Sequence, residues 1–386
     1  MENISKKIYK TTYINISNYF NIVNILIMLV CLTACGGAGG GGSNGTPSQQ
    51  SSWNVISTQA NGYGPNWDMK QLEASQSFQD NFIFGIINNG FGIIAYNAPY
   101  SISKPSWTDR SPSNFYDQFS QLSCYQTICV GSGIYAYNSL MLYDFTVGHF
   151  VKWYNITPSN LSSESFSAIS TVNESSLYLA TSSKKIYHCA LSYIFESSIP
   201  GYIYTSDCQD ITYGYNGSQV QGIAASNSPS DSSVNLMTES GIWQLHEGMN
   251  PSWDILPQSP TKGTKIIIDS QGQLFLASPN GGYYYNGNNW QQVINRPQSS
   301  VTLCDRGNFS GSNERVYFSD EFESNNYVNV FFPSTGNFDD ISSYIISPDT
   351  GETFNTGIYG LTTSNDCYIY GLSQYNNKVY VVTLKH

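Results

Sequence analysis

Short apolar runs separated by polar turns recur along the chain from residue 52 onward. In each repeat an apolar or aromatic run is followed by a polar turn and by a second run, which opens with a Gly-aliphatic step or is rich in Tyr. Runs of this kind, bounded by Gly, Asn and Ser, are typical of β-strands joined by tight turns. Six or seven copies of the pair are present, at residues 82–88 with 91–96, 127–130 with 133–137, 177–181 with 185–190, 234–238 with 241–245, 274–277 with 282–285, 316–319 with 327–332, and 368–372 with 379–383.

Two further runs accompany several of these pairs. A run led by Trp follows the pair, and another apolar run precedes it. The Trp-led runs lie at 153–156, 253–256 and 290–293, and the preceding runs at 220–225, 265–269 and 301–304. The repeat therefore predicts four antiparallel strands every 40 to 56 residues or so, roughly the period of β-propeller blades. A pair of β-sandwiches is the alternative. The propeller is favoured because the Gly-Ile-aromatic step and the following Trp recur together.

The two ends of the repeat region predict how the ring closes. The last copy has no Trp-led strand, whereas residues 53–56 form one ahead of the first copy. Pairing of this first strand into the last blade would cover a sheet edge that is otherwise open. We therefore predict an all-β fold, a β-propeller of seven four-stranded blades over residues 52–386, with the N-terminal strand closing the last blade. Residues 334–358 are irregular and leave an eighth blade as an alternative.

Composition agrees with a strand-rich fold and limits the possible partners. Charged residues make up 11% of the chain and aromatic residues 15%. Disordered proteins carry more charge and few aromatic residues, so disorder is excluded, and the abundance of Tyr, Ile, Val and Thr disfavours a helix-rich fold. The formal net charge is -11, and no basic run exists outside the first ten residues. Phosphate binding draws on clustered Lys and Arg, so nucleic acid is not an expected partner.

The first 34 residues have the organisation of an export signal. Three lysines precede an apolar stretch at 22–34, which is shorter than the roughly 20 residues that a membrane-spanning helix needs. The stretch ends in Leu-Thr-Ala followed by Cys35, which resembles the lipobox of bacterial lipoproteins. The resemblance implies that residues 1–34 are removed and that Cys35 carries the lipid, palmitate included, that anchors the protein to a membrane. Gly36, in place of Asp, is similar to the sorting pattern for the outer membrane of Gram-negative bacteria.

Residues 35–51 contain mainly Gly, Ser, Asn and Gln. Such a composition cannot bury a core and is typical of a flexible tether. The predicted organisation is therefore a signal peptide at 1–34, a tether at 35–51 and the propeller domain at 52–386.

One segment near the C-terminus is similar to a turn motif of known propellers. Ser347, Asp349, Gly351 and Phe354 match the Asp-box of sialidases and other propellers, Ser-x-Asp-x-Gly-x-Thr-Trp, with Phe354 in the aromatic place. In those families the Ser and Asp side chains hold the turn by hydrogen bonds to the backbone. The resemblance implies a repeat of the Asp-box or Kelch-like type and a structural role for these residues.

The sequence contains no catalytic constellation. A sialidase would need several Arg side chains around a carboxylate, and the only Arg residues after Cys35 are Arg110, Arg296, Arg306 and Arg315. Acids for glycoside cleavage could be drawn from Glu321, Glu323, Asp339, Asp340 and Asp349, although solvation of the surface is the simpler interpretation. The four His residues stand apart from one another, without the spacing of zinc ligands. We therefore expect no catalytic residue, no metal and no cofactor.

Six cysteines lie in the predicted propeller, and an even number in an exported protein predicts disulfides. Six cysteines allow fifteen pairings. Proximity along the chain favours three of the possible bonds, Cys124–Cys129, Cys189–Cys208 and Cys304–Cys367. The third bond would join the last two blades.

These features favour a lipid-anchored, non-enzymatic propeller of the cell envelope that uses one rim of the ring to contact a protein or glycan partner. The alternative is a secreted propeller hydrolase or lyase that acts on carbohydrate, with acids in the central funnel and aromatic rings stacked on sugars. A third interpretation is an envelope-assembly scaffold. The combination of a lipobox and a propeller resembles the propeller lipoprotein of the outer-membrane protein assembly machinery.

Replacing Cys35 by Ser should abolish lipid attachment, because only the thiol of Cys35 has the lipobox context. Metabolic labelling with a radioactive or clickable fatty acid should mark the wild-type protein and leave Cys35→Ser unlabelled. Equal labelling of the two proteins would show that the N-terminal segment is not a lipoprotein signal.

Overall fold

The computed structural model describes residues 52–58, 69–75, 81–87, 92–98, 106–112, 118–133, 139–145, 152–196, 201–226, 233–246, 252–304, 314–320, 327–342, 344–346, 351–354, 356–364 and 367–385. Every structural statement below concerns these residues. The signal segment, Cys35 and the tether lie outside them, and so do Ser347 and Asp349 of the Asp-box match.

The described residues form β-strands and one 3₁₀ turn at Ser159–Leu161. In chain order the strands are β1 (Trp53–Val55), β2 (Gln71–Ala74), β3 (Asn81–Ile87), β4 (Gly92–Ala98), β5 (Trp107–Asp109), β6 (Phe119–Tyr125), β7 (Ile128–Gly133), β8 (Leu140–Asp144), β9 (Lys152–Asn155), β10 (Phe166–Asn173), β11 (Ser176–Thr181), β12 (Ile186–Glu196), β13 (Gly201–Asp210), β14 (Val220–Ala225), β15 (Val234–Thr238), β16 (Gly241–His246), β17 (Ser252–Ile255), β18 (Lys265–Ile268), β19 (Leu274–Ser278), β20 (Gly281–Tyr285), β21 (Trp290–Ile294), β22 (Ser300–Cys304), β23 (Arg315–Ser319), β24 (Val328–Phe332), β25 (Asn337–Asp340), β26 (Ile345–Ile346), β27 (Thr353–Phe354), β28 (Ile358–Thr363), β29 (Tyr368–Tyr375) and β30 (Lys378–Lys385).

These strands form seven small sheets that we number as blades. Blades 1 to 6 are the consecutive four-stranded sheets β2–β5, β6–β9, β10–β13, β14–β17, β18–β21 and β22–β25, and blade 7 has the order β28-β29-β30-β1-β26-β27. The first strand of each blade lies beside the first strand of the next, and β28 of blade 7 lies beside β2 of blade 1, so the blades close into a ring. The fold is a seven-bladed β-propeller, as the sequence predicts.

Ring closure follows the sequence prediction and adds two strands to it. β1 pairs antiparallel with β30, with Asn54 opposite Thr383 and Val55 opposite Val382. Trp53 is completely buried. β26 then pairs with β1 in parallel, and β27 pairs with β26. The irregular region 334–358 therefore supplies the outer strand of blade 6 and the outer edge of blade 7, and the described residues contain no eighth sheet.

One predicted strand pair is wrong in its second member. The run at 133–137 was expected to pair with 127–130, but β7 continues to Gly133 and pairs with β8 at Leu140–Asp144. The N–H of Gly133 donates to the Ser139 carbonyl (2.8 Å) at the start of this pairing. Leu140 and Leu142 of β8 are both fully buried, and residues 134–137 of the predicted run lie outside the described residues.

The hydrophobic core is divided among the seven interfaces between neighbouring blades. Each interface holds one cluster of buried apolar side chains contributed by the two facing sheets. Leu142 of blade 2 and Leu177 of blade 3, for example, belong to one cluster and are fully buried. Each such side chain contributes roughly 1.5–3 kcal/mol. No blade buries both of its faces without both neighbours, so the ring is stable only as a whole.

Trp side chains on the outermost strands connect neighbouring blades. The indole N–H donates to the first carbonyl after the fourth strand of the preceding blade, which in blade 7 is β1, and we call this contact the tryptophan latch. It is made by three pairs, Trp107 to Ile56 (3.0 Å), Trp153 to Arg110 (2.5 Å) and Trp253 to Ile211 (2.8 Å). The Trp-led runs at 153–156 and 253–256 are therefore outer strands whose Trp side chains hold adjacent blades together, whereas the indole N–H of Trp290 has no partner in the described part of the chain.

A Ser or Thr after the fourth strand of a blade, which in blade 7 is β1, fixes the third strand of the same blade. Its hydroxyl accepts a backbone N–H in Ser111 with Ile93 (3.0 Å), Thr157 with Leu140 (2.8 Å), Thr212 with Ile186 (2.9 Å), Ser342 with Val328 (3.0 Å) and Ser57 with Val381 (2.9 Å). In four blades the N–H of this residue donates to the Asp or Asn two positions earlier, namely Asp109, Asn155, Asp210 and Asp340. The pattern Asx-x-Ser/Thr is an Asx-turn that ends the blade.

Three disulfides join the six cysteines in the pairs favoured by the sequence. Cys124–Cys129 bridges β6 and β7, and Cys189–Cys208 bridges β12 and β13. Cys304–Cys367 connects β22 of blade 6 to the residue directly before β29 of blade 7. This third bond reinforces the interface next to the closing strand.

Removing one tryptophan latch should destabilise the ring more than removing the indole of a partly buried Trp in the same cluster that makes no such bond. Trp253→Phe leaves the carbonyl of Ile211 without its donor, whereas the indole N–H of Trp243 has no acceptor among the described residues. Trp253→Phe should therefore lower the free energy of unfolding by about 1–2 kcal/mol more than the matched control Trp243→Phe. Denaturant unfolding of both variants measures the difference, and equal losses would refute the latch.

Candidate binding site in the central channel

The first strands of all seven blades enclose a central channel. Residues from β2, β6, β10, β14, β18, β22 and β28 line it, and its volume is about 820 Å³. This volume falls within the roughly 300–1,000 Å³ of typical ligand pockets. The channel is therefore the candidate functional site.

Glutamine side chains tie the walls of the channel together. The Gln71 amide of blade 1 donates to the Leu122 carbonyl of blade 2 (2.9 Å) and accepts the Leu122 N–H (3.1 Å). Gln121 repeats this contact one blade further on, donating to the Ser167 carbonyl (2.6 Å) and accepting the Ile169 N–H (3.1 Å). Each amide thus extends the hydrogen bonding of one sheet to the edge of the next.

Hydroxyl groups continue these ties around the ring. Ser123 of blade 2 accepts the Thr171 N–H of blade 3 (2.8 Å). The pairs on either side of blade 7 are Ser300 accepting the Leu361 N–H (2.9 Å), Thr302 with Thr363 (3.2 Å), and Thr362 accepting the Ala74 N–H (3.0 Å). The polar side chains of the wall are therefore largely engaged in holding the blades in register.

Lys265 bonds a blade that is not adjacent to its own. It begins β18 of blade 5, and its ammonium donates to the Leu361 carbonyl of blade 7 (2.8 Å). That carbonyl is available because β28 has a bulge between Tyr359 and Thr362, with Gly360 at φ +59°. A bulge leaves its extra residue outside the ladder, so Leu361 is free to bond Ser300 and Lys265.

Glu73 is the acidic counterpart of Lys265. It lies on β2 two residues after Gln71, the position that Ser123 occupies after Gln121 in blade 2. Ser123 ties its blade to the next, but the described hydrogen bonds and ion pairs include none from the Glu73 carboxyl. Burial raises the pKa of Glu73 to about 7, and the charge of Lys265 opposes that rise. Burial also lowers the pKa of Lys265, against the opposing charge of Glu73.

The other charged groups of the lining have different roles. Asp269 is buried, and its Oδ1 accepts the N–H groups of Gln271 (2.9 Å) and Gln273 (2.7 Å), so it shapes a turn. Lys70, directly before β2, lines the channel and is exposed. Glu73 and Lys265 are thus the charged pair that faces the channel from its wall.

The residues singled out from the sequence lie elsewhere, with one exception. Phe354 is buried at the outer edge of blade 7, stacked on Tyr375 with ring centroids 4.8 Å apart, and Gly351 adopts φ +68° before β27. The alternative of funnel acids is wrong for Asp339 and Asp340, because both are exposed on β25, the outer strand of blade 6. Glu321, Glu323 and Asp349 lie outside the described residues. The exception is Cys124, which lines the channel and is bonded to Cys129.

Two structural features are absent from the described part of the chain. No group of three or more His, Cys, Asp or Glu side chains there is placed to share a metal ion. Nor does that part contain a helix of the length and apolarity needed to cross a bilayer.

No protein-family profile and no curated protein sequence matches the chain. Solved structures match in fold. The WD40 β-propeller domain of Doa1 has a TM-score of 0.55 at 8% identity, over 87% of this chain and 98% of that one. Streptogramin B lyase gives 0.54 at 11% identity, over 86% and 97%. YCF48 from Cyanidioschyzon merolae gives 0.51 at 11%, over 87% and 98%, and YCF48 bound to D1 peptide gives 0.50 at 13%, over 88% and 99%. At such identities the similarity shows the fold alone.

Glu73 should make the stability of the protein depend on pH in a defined window. The folded state holds the Glu73 proton with a pKa of about 7, against 4.5 without burial. The folded state therefore binds more protons between these values, and stability falls as pH rises from about 4.5 to about 7. Glu73→Gln removes this cost, which is up to about 3 kcal/mol.

The variant should accordingly melt at a higher temperature than the wild type at about pH 8, and at the same temperature at about pH 4. Glu239→Gln, in the exposed turn between β15 and β16, is the matched control and should show no such difference. A stability difference between Glu73→Gln and wild type that does not change with pH would contradict the assignment.

Proposed function

We propose that the chain is an exported, lipid-anchored β-propeller that acts as a non-enzymatic binding module and takes its protein or glycan partner at the central channel. The observation that carries this proposal is that the side chains of the channel wall fall into two sets, one that bonds neighbouring blades and one that presents charge to the channel. Gln71, Gln121 and Ser123 hold the blades together, whereas Glu73 and Lys265 present charged groups to the channel. Such a wall is rigid and selective, which suits recognition.

The comparisons support this proposal at the level of the fold. The WD40 domain of Doa1 and YCF48 have the same architecture, and YCF48 has been seen bound to D1 peptide. A protein partner for this chain is in keeping with those neighbours. The lipid anchor rests on the lipobox at Cys35, and with it the assignment to the outer membrane of a Gram-negative bacterium.

A carbohydrate-active hydrolase or lyase is the second candidate, and Glu73 is the observation that favours it. A carboxyl with a pKa of about 7 suits general acid or base catalysis. One of the structural neighbours is a lyase by name. Glycoside cleavage uses two carboxyl groups, however, and the other acid of the described channel wall, Asp269, is engaged in a turn. Binding without turnover is therefore preferred.

Blocking the channel should abolish capture of the partner. Ser170 of β10 and Gln221 of β14 line the channel, so Ser170→Trp and Gln221→Trp place a large ring inside it. Asn337→Trp, on the exposed outer strand β25, is the matched control. Full-length protein in detergent should recover one partner from envelope extract, and so should the control, whereas both channel variants should lose it while keeping the wild-type melting temperature.

Capture that survives both channel variants would refute the channel as the binding site. Reproducible turnover of a glycoside or polysaccharide that Glu73→Gln eliminates would replace the binding module by the enzyme.

A further inference from the structure

We infer that the centre of the channel is a receptor for a zwitterionic group, with Glu73 taking the cation and Lys265 the anion, as presented by a short peptide with free ends. This inference rests on the proposed function, since it names the chemistry of the partner at the same site. It follows from two observations, that the Glu73 carboxyl has no partner in the described part of the chain and that the Lys265 ammonium has N–H donors left for a ligand.

The Glu73 carboxyl differs from the side chain at the same place in the next blade. Its counterpart Ser123 accepts from Thr171 N–H and ties blade 2 to blade 3. Glu73 occupies the same place in blade 1, and the described part of the chain offers its carboxyl neither a hydrogen bond nor an ion pair. A carboxylate held in such surroundings without a partner is destabilised, and a bound cation would relieve it.

The Lys265 ammonium has capacity left for a ligand. An ammonium carries three N–H donors, and the described structure shows one of them, which goes to the Leu361 carbonyl. The bulge in β28 fixes the position of that acceptor, so the ammonium is held at a defined point in the channel. Its other donors are available to an anionic group.

The two charges interact through space and not by direct contact. The ion pairs of the described residues do not include Glu73 with Lys265, yet each affects the proton affinity of the other. A lone anion on Lys265 would face the Glu73 carboxylate, and a lone cation on Glu73 would face the Lys265 ammonium. A ligand that carries both charges avoids either repulsion. The channel volume of about 820 Å³ accommodates a short peptide.

Few other groups act on Glu73. The strands packed against β2 are β3, β6, β28 and β29. β3 carries no titratable side chain, and the other three contribute tyrosines, Tyr125, Tyr359, Tyr368, Tyr370 and Tyr375, besides disulfide-bonded Cys124, and no carboxylate or ammonium. Lys265, exposed Lys70 and turn-bound Asp269 are the remaining charges of the described wall. A ligand cation should therefore bind the ionised form of Glu73, and affinity should fall as pH drops below about 7.

Triglycine is the probe, with N-acetyl-triglycine and triglycinamide as its capped forms, each measured by calorimetry on full-length protein. Wild type should bind triglycine at least about tenfold more tightly than either capped form, because each cap removes one charge contact. Glu73→Gln should lose the advantage of the free amine and keep that of the free carboxylate. Lys265→Met should show the reverse pattern.

Lys378→Met, at the exposed start of β30 and away from the channel lining, is the matched control and should bind all three peptides as wild type does. Triglycine should bind wild type more weakly at about pH 5 than at about pH 7.5, and Glu73→Gln should not show this dependence. A purely structural role for Lys265 as a cross-channel strut would alter the melting temperature and leave the selectivity for the carboxylate unchanged.

Equal binding of the three peptides, absence of binding, or affinity that rises as pH falls would overturn the inference. None of these outcomes touches the proposed function if the channel variants Ser170→Trp and Gln221→Trp still abolish partner capture. If capture survives in those variants while triglycine binds selectively, the proposed function fails and the zwitterion site stands.

Discussion

Pairing of β1 with β30 is the contact on which the rest of the structure depends. It joins residues from the two ends of the propeller, Asn54 opposite Thr383 and Val55 opposite Val382, and buries Trp53 completely. Because the core is divided among seven interfaces, an open ring would leave the facing sides of two blades without a neighbour. Closure also brings β28 beside β2 and so completes the wall of the channel. Both the stability of the fold and the formation of the candidate site thus require closure of the ring.

The ring is held at two radii by different chemistry. On the outside, three indole N–H groups bond a neighbouring blade. Asx-turns end four of the blades, and a Ser or Thr hydroxyl beside them bonds the third strand of the same blade. On the inside, amide and hydroxyl side chains bridge neighbouring first strands. Polar groups engaged in this way are satisfied and add rigidity. Glu73 and Lys265 differ from these residues because they keep hydrogen-bonding groups that a ligand could use. This difference identifies the candidate site.

Much of the fold could be predicted from the sequence because the repeat is local. Glycine turns, Trp-led runs and the spacing of cysteines all lie within single blades or between adjacent ones. The run at 133–137 is apolar and aromatic, and so is 140–144, the segment that pairs with β7. The Asx-x-Ser/Thr ending was readable at 109–111, 155–157, 210–212 and 340–342, and would have marked the end of each outer strand.

The candidate site could not be predicted in the same way. Glu73 and Lys265 are far apart in the chain, and each is a single charged residue on a short strand, which in most sheets indicates a solvent-exposed face. Their proximity arises only when the ring closes and the bulge at Gly360 turns the Leu361 carbonyl toward Lys265. The sequence does carry one signal of the site. Glu73 stands two residues after Gln71, where blade 2 has Ser123 two residues after Gln121, and this difference can be seen only when the blades are aligned.

The closed ring holds Glu73 as an unpartnered carboxyl in the field of Lys265. Carbon-13 NMR titration of the glutamate side-chain carboxyls measures the protonation of Glu73 directly, with its resonance identified by its loss in Glu73→Gln. We expect a midpoint of about 7 in the wild type and a higher one in Lys265→Met, where the opposing charge is gone. A midpoint at or below the ordinary value of 4.5 would contradict it.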